Sequence, residues 1–134
     1  MSDQGTFRRI LFAHARQEET DAIEEGLATI RSYYPDAEVI SARDDWKKNM
    51  PTMETVNTWA RHVGAGWSLM EGRPTYDLIV CPRQFVGNWT ALIVTAAFAA
   101  RRPVAYFGFG SELIFATTLN QTDPQDFQNG WCLS

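Results

Sequence analysis

The residues of this sequence that could do chemistry lie in short polar segments, each close to an apolar run. Arginine side chains in these segments could bind phosphate, carboxylates could accept hydrogen bonds from sugar hydroxyls, and aromatic rings could stack on a base. This combination indicates a pocket for a sugar or a phosphorylated nucleoside. The candidate ligand-binding residues are His14, Arg16, Arg43, Arg83, Gln84, Asn88, Trp89, Thr90, Gly108, Gly110 and Ser111, and the candidate acids are Asp44, Asp45 and Glu112.

Several of these residues also have a purely structural interpretation. His14 follows an apolar run and could be a satisfied core histidine, and Trp89 could fill the core at the start of a helix. Arg16 and Arg43 could simply pair with neighbouring carboxylates on the surface. Both interpretations stay open from the sequence alone.

Stronger catalytic and metal-binding motifs are absent from the sequence. It contains no GxGxxG, no Walker lysine loop, no HExxH and no GxSxG. Cys81 and Cys132 are far apart in the sequence and form no CxxC motif. With only two histidines besides, the sequence offers few ligands for a metal site. We therefore predict no metal, no cofactor and a buried, unreactive thiol at Cys81.

Length and charge restrict the class of protein. The 134 residues are enough for a single domain, 1–134, and a formal charge of −4 disfavours a nucleic-acid polymer as a partner, because phosphate binding needs a basic face. The most apolar stretch, 91–100, is shorter than the roughly 20 residues that span a membrane. With no apolar leader and no disulfide pattern, the sequence favours a cytoplasmic location without a membrane partner.

Five strands and three helices must position the candidate residues. Short apolar runs predict strands at 10–13, 38–40, 76–81, 104–107 and 113–117. Apolar spacings of three and four predict helices from a capping box at Asp21 to Tyr34, from 51 to 67, and from 91 to 101, the last capped by Asn88 or Thr90.

Alternating strands and helices predict an α/β fold. We expect a flavodoxin-like, doubly wound, mostly parallel five-stranded sheet with helices on both faces and the strand order 2-1-3-4-5. The fifth strand could run antiparallel, because only a few residues connect it to the fourth. Ligands of such sheets bind beyond the carboxyl ends of the strands, which is where the candidate residues fall.

Three stretches of this chain resemble the nucleoside 2-deoxyribosyltransferase-like superfamily. They are 10–14, which reads ILFAH, 33–40, which reads YYPDAEVI, and 76–82 followed by 90–100 and 102–104. The resemblance covers residues 8–107. It implies a flavodoxin-like fold, oligomers whose subunits complete one another's sites, and cleavage of a nucleoside glycosidic bond by a glutamate nucleophile at the start of the third helix.

The chain departs from that family at the catalytic carboxylates. The position of the glutamate falls on Ile93, and that of the preceding aspartate falls near Gly87 or Asn88. Three hypotheses follow. The chain binds a nucleoside or nucleotide with altered or lost chemistry; it is an active N-glycosidase or deoxyribosyltransferase whose displaced carboxylate is Glu112, Asp44 or Asp45; or it is a small interaction or regulatory protein with no ligand. The apolar third helix and the many aromatic residues suit a homodimer or higher homo-oligomer.

Overall fold

Short segments rich in branched and aromatic side chains form the strands of this protein, and two longer segments form helices. The computed structural model describes residues 7–15, 18–44, 67–68, 73–74, 76–99, 101–122 and 130–134. The strands are β1 (Arg9–Phe12), β2 (Glu38–Ser41), β3 (Trp67–Ser68), β4 (Arg73–Pro74), β5 (Leu78–Cys81), β6 (Phe85–Val86), β7 (Val104–Phe107), β8 (Leu113–Ala116), β9 (Leu119–Gln121) and β10 (Trp131–Leu133). The helices are α1 (Thr20–Tyr33) and α2 (Asn88–Ala99).

The main sheet has five strands in the order β2-β1-β5-β7-β8. β1 pairs in parallel with β2 and with β5, so that Leu11 lies between Ile40 and Ile79. β5 and β7 are also parallel, whereas β8 runs antiparallel to β7. The short 108–112 connection requires this direction, because a parallel crossover needs about a dozen residues or more.

The α/β class predicted from the sequence is confirmed. The five predicted strands lie side by side in the order 2-1-3-4-5, and the antiparallel direction that was left open for the fifth strand is the one observed. A doubly wound, flavodoxin-like arrangement is not confirmed, because the sheet is mixed. The predicted second helix, 51–67, lies outside the described residues except for Trp67, which is in β3 and not in a helix.

The central strands are buried on both faces, and successive side chains enter different cores. The face covered by α1, here called the α1 face, buries Ile10, Phe12, Leu78 and Val80 against Ile23, Leu27 and Ile30. The opposite face, the α2 face, buries Leu11, Ala13, Ile79 and Cys81 against Ile93, Val94 and Ala97. Each large side chain so buried stabilises the fold by about 1.5–3 kcal/mol, so both layers are needed.

Helix α1 follows the predicted apolar spacing but not the predicted cap. Ile23, Leu27 and Ile30 lie on its buried side. The helix begins at Thr20, after Glu19, whose side chain makes no capping hydrogen bond. The predicted capping box at Asp21 is therefore wrong. Asp21 lies in the first turn, where its negative charge interacts favourably with the positive end of the helix dipole.

Helix α2 begins earlier than predicted. Asn88 is its first residue, and the Asn88 Oδ1 accepts a hydrogen bond of 2.8 Å from the Trp131 indole N–H rather than capping the helix. Ile93 and Val94 of this apolar helix are buried, but Leu92 is 44% exposed.

A second, smaller sheet was missed from the sequence. β6, β10 and β9 form an antiparallel sheet in that order, and β3 pairs with β4. None of these strands is among the five predicted from the sequence. These strands have two or three residues each, too few to show a period in the sequence.

The end of α2 contains a strained residue. The Arg101 N–H donates to the Phe98 C=O (3.0 Å) and the Arg102 N–H donates to the Ala97 C=O (2.8 Å), which is the bonding pattern of a Schellman cap. Arg101 has φ 61°, the left-handed conformation that glycine adopts without penalty.

We therefore expect Arg101→Gly to stabilise the protein. Relief of the left-handed strain, less the greater chain entropy of glycine, leaves a gain of about 1 kcal/mol and a melting temperature a few degrees higher. Arg101→Ala is the matched control, because it removes the same charge but keeps the Cβ atom. Equal melting temperatures for the two variants would contradict this assignment.

Candidate functional site

A cavity of about 210 Å³ opens on the α1 face, beyond the carboxyl ends of β1, β5 and β7. Phe12 is the last residue of β1, Pro82 and Arg83 follow β5, and Phe107 ends β7. Helix α1 forms the opposite wall. The lining residues are Phe12, Glu18, Ala22, Glu25, Gly26, Thr29, Pro82, Arg83, Phe107, Gly108 and Ser111.

Close packing of α1 on β1 forms the floor of this cavity. A Cβ atom at Gly26 would collide with the Phe12 ring, so glycine allows the helix to approach the strand. The Phe12 and Phe107 rings lie 6.2 Å apart, centroid to centroid, in a tilted arrangement. The floor is therefore aromatic, and the polar groups stand around it.

An ion pair crosses one end of the cavity. One Arg83 Nη atom lies 3.0 Å from both carboxylate oxygens of Glu18. The Glu18 side chain is only 12% exposed, whereas that of Arg83 is 50% exposed. Because this guanidinium already neutralises a carboxylate, a phosphate would have to compete with Glu18 for it.

The turn between β7 and β8 forms the other rim. Ser111 N–H donates to the Gly108 C=O, and Ser111 itself has φ 62°, which is a type I turn followed by a left-handed residue. The Tyr33 hydroxyl donates to the Ser111 C=O (3.0 Å) and so ties this turn to α1. The Glu112 carboxylate lies against Gly108, where a Cβ atom would collide with it.

His14 does not face this cavity as a ligand-binding group. It is fully buried, its Nδ1 lies 2.7 Å from the Ala15 C=O, and its Nε2 accepts from the Arg43 backbone N–H at 3.1 Å. A carbonyl only accepts, so these two bonds define a neutral ring protonated at Nδ1. Desolvation lowers the pKa of His14 below its ordinary value, opposed by the bond to Ala15 and the charge of Glu18.

Arg43 and Asp44 belong to the same structural group. The Arg43 Nη1 donates to the Thr20 Oγ1 (3.0 Å), and the Asp44 N–H donates to the Ser41 Oγ (3.1 Å). The first contact connects the segment after β2 to the start of α1, and the second closes a turn at the end of β2. Asp44 is exposed and does not line the cavity.

A third group of candidate residues belongs to the small sheet and α2. The Gln84 Nε2 donates to the Leu133 C=O (2.9 Å), and Asn88 accepts from Trp131. Thr90 is buried in the first turns of α2. These groups are used in attaching β10 to the fold, and none of the three residues lines the cavity.

Of the residues predicted for the site, the structure brings together Arg83, Gly108 and Ser111, with Gly110 and Glu112 in the same turn. Arg16 and Asp45 lie outside the described residues, as does the side chain of Trp89. Ile93 is 1% exposed in the α2-face core, so no acid occupies the position where the resemblance expects a nucleophile.

Sequence reasoning missed Glu18, Glu25 and Thr29 of the cavity wall. Thr29 and Glu25 lie four residues apart along α1, and Glu18 precedes the helix. Spacing of three or four residues along a helix places side chains on one side, so the pattern was present. The candidates came from strand ends and from the start of the third helix, so the wall formed by α1 was not considered.

The chain matches no protein-family model, no curated protein and no solved structure. Within the described ranges no group of three or more His, Cys, Asp and Glu residues could hold a metal ion, and no helix is long and apolar enough to cross a membrane. Cys81 and Cys132 are free cysteines. Burial raises the pKa of the Cys81 thiol to about 12, which agrees with the predicted buried, unreactive thiol.

His14 should make stability depend on pH. Because its folded pKa is lowered, its contribution is complete above the unfolded pKa of about 6.5 and is lost as the pH falls below that value. In urea unfolding, we expect His14→Gln, which keeps an acceptor but does not titrate, to lose less free energy of unfolding than the wild type does between about pH 7.5 and 5. Identical pH slopes would contradict this role for His14, and His62→Gln is the control for the second histidine.

Proposed function

We propose that this chain is a nucleoside-binding protein of the nucleoside 2-deoxyribosyltransferase-like class, with glycosidic-bond chemistry altered or lost. The observation that carries the proposal is the cavity beyond β1, β5 and β7, with an aromatic floor and a polar rim. The strand order β2-β1-β5-β7-β8, with one helix on each face, is compatible with a flavodoxin-like scaffold whose last strand is reversed.

The lining of the cavity suits a nucleoside in both size and polarity. Its volume, about 210 Å³, is below the roughly 300–1,000 Å³ of typical ligand pockets, which favours one small molecule held partly open to solvent. The half-buried Phe107 ring, which packs against the buried Phe12 ring, offers an apolar surface for a base. Glu18 and Ser111 offer acceptors for sugar hydroxyls.

The charge of the lining favours a neutral ligand over a phosphorylated one. The charged lining residues are Glu18, Glu25 and Arg83, which together carry one net negative charge. Arg83 already contacts both oxygens of Glu18. We therefore infer that a nucleoside binds better than its 5′-phosphate.

Two further hypotheses remain beside this one. One is an N-glycosidase or deoxyribosyltransferase with a displaced acid. Glu112 belongs to the turn that borders the cavity, but its carboxylate lies beside Gly108 and Ile114, on the α2 face, so it would have to turn toward the cavity to act as that acid. An interaction or regulatory protein without a ligand would need a closed strand end. The ion pair of Arg83 fits that hypothesis, but the open cavity argues against it.

A nucleoside should raise the melting temperature of the wild-type protein. A ligand at 100 times its dissociation constant stabilises by about 2.7 kcal/mol. We expect shifts with one or more of adenosine, guanosine, cytidine, thymidine and their deoxy forms, and smaller shifts with the 5′-monophosphates. Ala22→Trp, which fills the cavity wall, should abolish the shift, whereas Ala28→Trp, on an exposed part of the same helix, should retain it. No shift with any nucleoside would overturn the proposal.

Release of free base separates binding from catalysis. Because Ile93 provides no nucleophile, we expect no base above the buffer rate when the protein is incubated with each nucleoside that binds, as measured by chromatography. Base release that Glu112→Gln lowers by about 100-fold or more, with Glu24→Gln unchanged, would instead establish the displaced-acid enzyme. Asp44→Asn and Asp45→Asn test the other two acids.

A further inference from the structure

β8 is the last strand of the main sheet, and its outer edge has no neighbouring strand among the described residues. An unpaired edge presents N–H and C=O groups to solvent and is a template for another strand. Which groups are presented, and how far the open part extends, can be read from the hydrogen bonds of β7 and β8.

Alternation along the β7–β8 pair decides which groups point outward. The Gly108 N–H donates to the Glu112 C=O at 2.9 Å, so these two residues form a hydrogen-bonded pair. Such pairs alternate with non-bonded ones along an antiparallel ladder. With Tyr106 opposite Ile114, the backbone groups of Ile114 face β7, and those of Leu113 and Phe115 face outward.

Both ends of this edge are already closed. The Thr117 N–H donates to the Ser134 C=O at 2.7 Å, and the Ser111 C=O accepts from the Tyr33 hydroxyl. Within the described residues, no hydrogen bond joins the outward groups of Leu113 or Phe115 to the chain. The open edge is therefore limited to two N–H and two C=O groups, placed symmetrically about Ile114.

The side chains of the same strand are apolar and exposed on both faces of the sheet. Ile114 is 37% exposed on the α2 face, and Phe115 is 48% exposed on the α1 face. No charged residue or proline occurs from 113 to 122. The edge thus lacks the lysines, prolines and inward charges that usually prevent strand pairing. Although the chain carries a charge of −4, two copies of this edge would meet without repulsion between like charges.

We propose that the open edge of β8 pairs with β8 of a second copy of this chain. In the antiparallel register centred on Ile114, Leu113 lies opposite the partner's Phe115, and Phe115 lies opposite the partner's Leu113. All four outward groups then form hydrogen bonds, and Ile114 meets the partner's Ile114 on the twofold axis. Registers centred on Leu113 or Phe115 would require groups at Ser111 or Thr117 that are already bonded.

A second copy fits this edge better than an unrelated strand does. A twofold axis relates a surface to itself, and the open groups and apolar side chains are symmetric about one residue, as an isologous contact requires. The paired segment is short, so the interface falls below the roughly 1,200 Å² of stable complexes. We therefore expect a reversible dimer, and the inference stands whether or not the cavity binds a nucleoside.

Sedimentation velocity at increasing concentration tests the dimer. From about 1 to about 200 µM, a range that brackets a micromolar dissociation constant, we expect the wild type to change from monomer to dimer. Ile114→Lys places two like charges on the axis and should weaken association at least tenfold. Leu92→Lys, an equally exposed apolar residue on α2, should associate as the wild type does. A wild type that stays monomeric, or equal association of both variants, would overturn the proposal.

A disulfide at the axis tests the register and does not depend on how Ile114→Lys folds. Cα atoms of a non-hydrogen-bonded antiparallel pair are about 4.5 Å apart, within the range that a disulfide spans. In a Cys132→Ser background, oxidised glutathione should convert Ile114→Cys to a covalent dimer, two thiols giving two electrons and two protons to form two reduced glutathiones. Leu92→Cys should form no covalent dimer. Equal cross-linking of the two variants, or none with Ile114→Cys, would contradict the register.

Discussion

Burial of β1 and β5 on both faces is the constraint on which the rest of the structure depends. Ile10 and Leu11 are both fully buried yet point to opposite faces, as do Leu78 and Ile79. A parallel pair of this kind is stable only when a layer covers each face, because its side chains cannot avoid water otherwise. The chain provides α1 on one face and α2 with the small sheet on the other, and both helices must therefore lie close to their strands.

This requirement explains why so many polar residues at the strand ends serve the fold and not a ligand. His14 fixes the end of β1 to Arg43 beyond β2, and Gln84 fixes the segment after β5 to β10. A buried polar group without a partner costs about 1–3 kcal/mol, so strand ends enclosed by other elements must pair internally. Among the described residues, Arg83 and Ser111 lie where a strand end stays open, and both line the cavity.

The parts of the fold that could be predicted from the sequence are those with a clear local pattern of apolar residues. The five strands of the main sheet were correct because each lies in a short apolar run, and the buried side of α1 was correct because its apolar residues repeat every three or four positions. The three-residue strand β10 has no such repeat, and its position depends on contacts with Asn88 and Gln84 that are distant in sequence. The short connection before the fifth strand was also noted, but its left-handed residue is Ser111, and neither Gly108 nor Gly110 adopts that conformation. The same limit applies to the candidate site. Residue type and position at a strand end predict which residues are polar, but tertiary contacts decide whether each of them is free to bind a ligand or makes a structural hydrogen bond.

The cavity and the open strand have a common cause. Ala105 of β7 is buried with residues of α1 in the α1-face core, but cover is incomplete beyond it: Phe107 lines the cavity, and Phe115, whose ring stacks on that of Phe7, is 48% exposed. One half of this uncovered surface is recessed beside α1 and can hold a small molecule, and the other half is an edge that can hold only a strand. A twofold axis through Ile114, perpendicular to the sheet, would keep both α1 faces on the same side. The two cavities would then open in one direction from a single ten-stranded sheet, and Phe115 would be covered by the partner's Leu113 without closing either cavity.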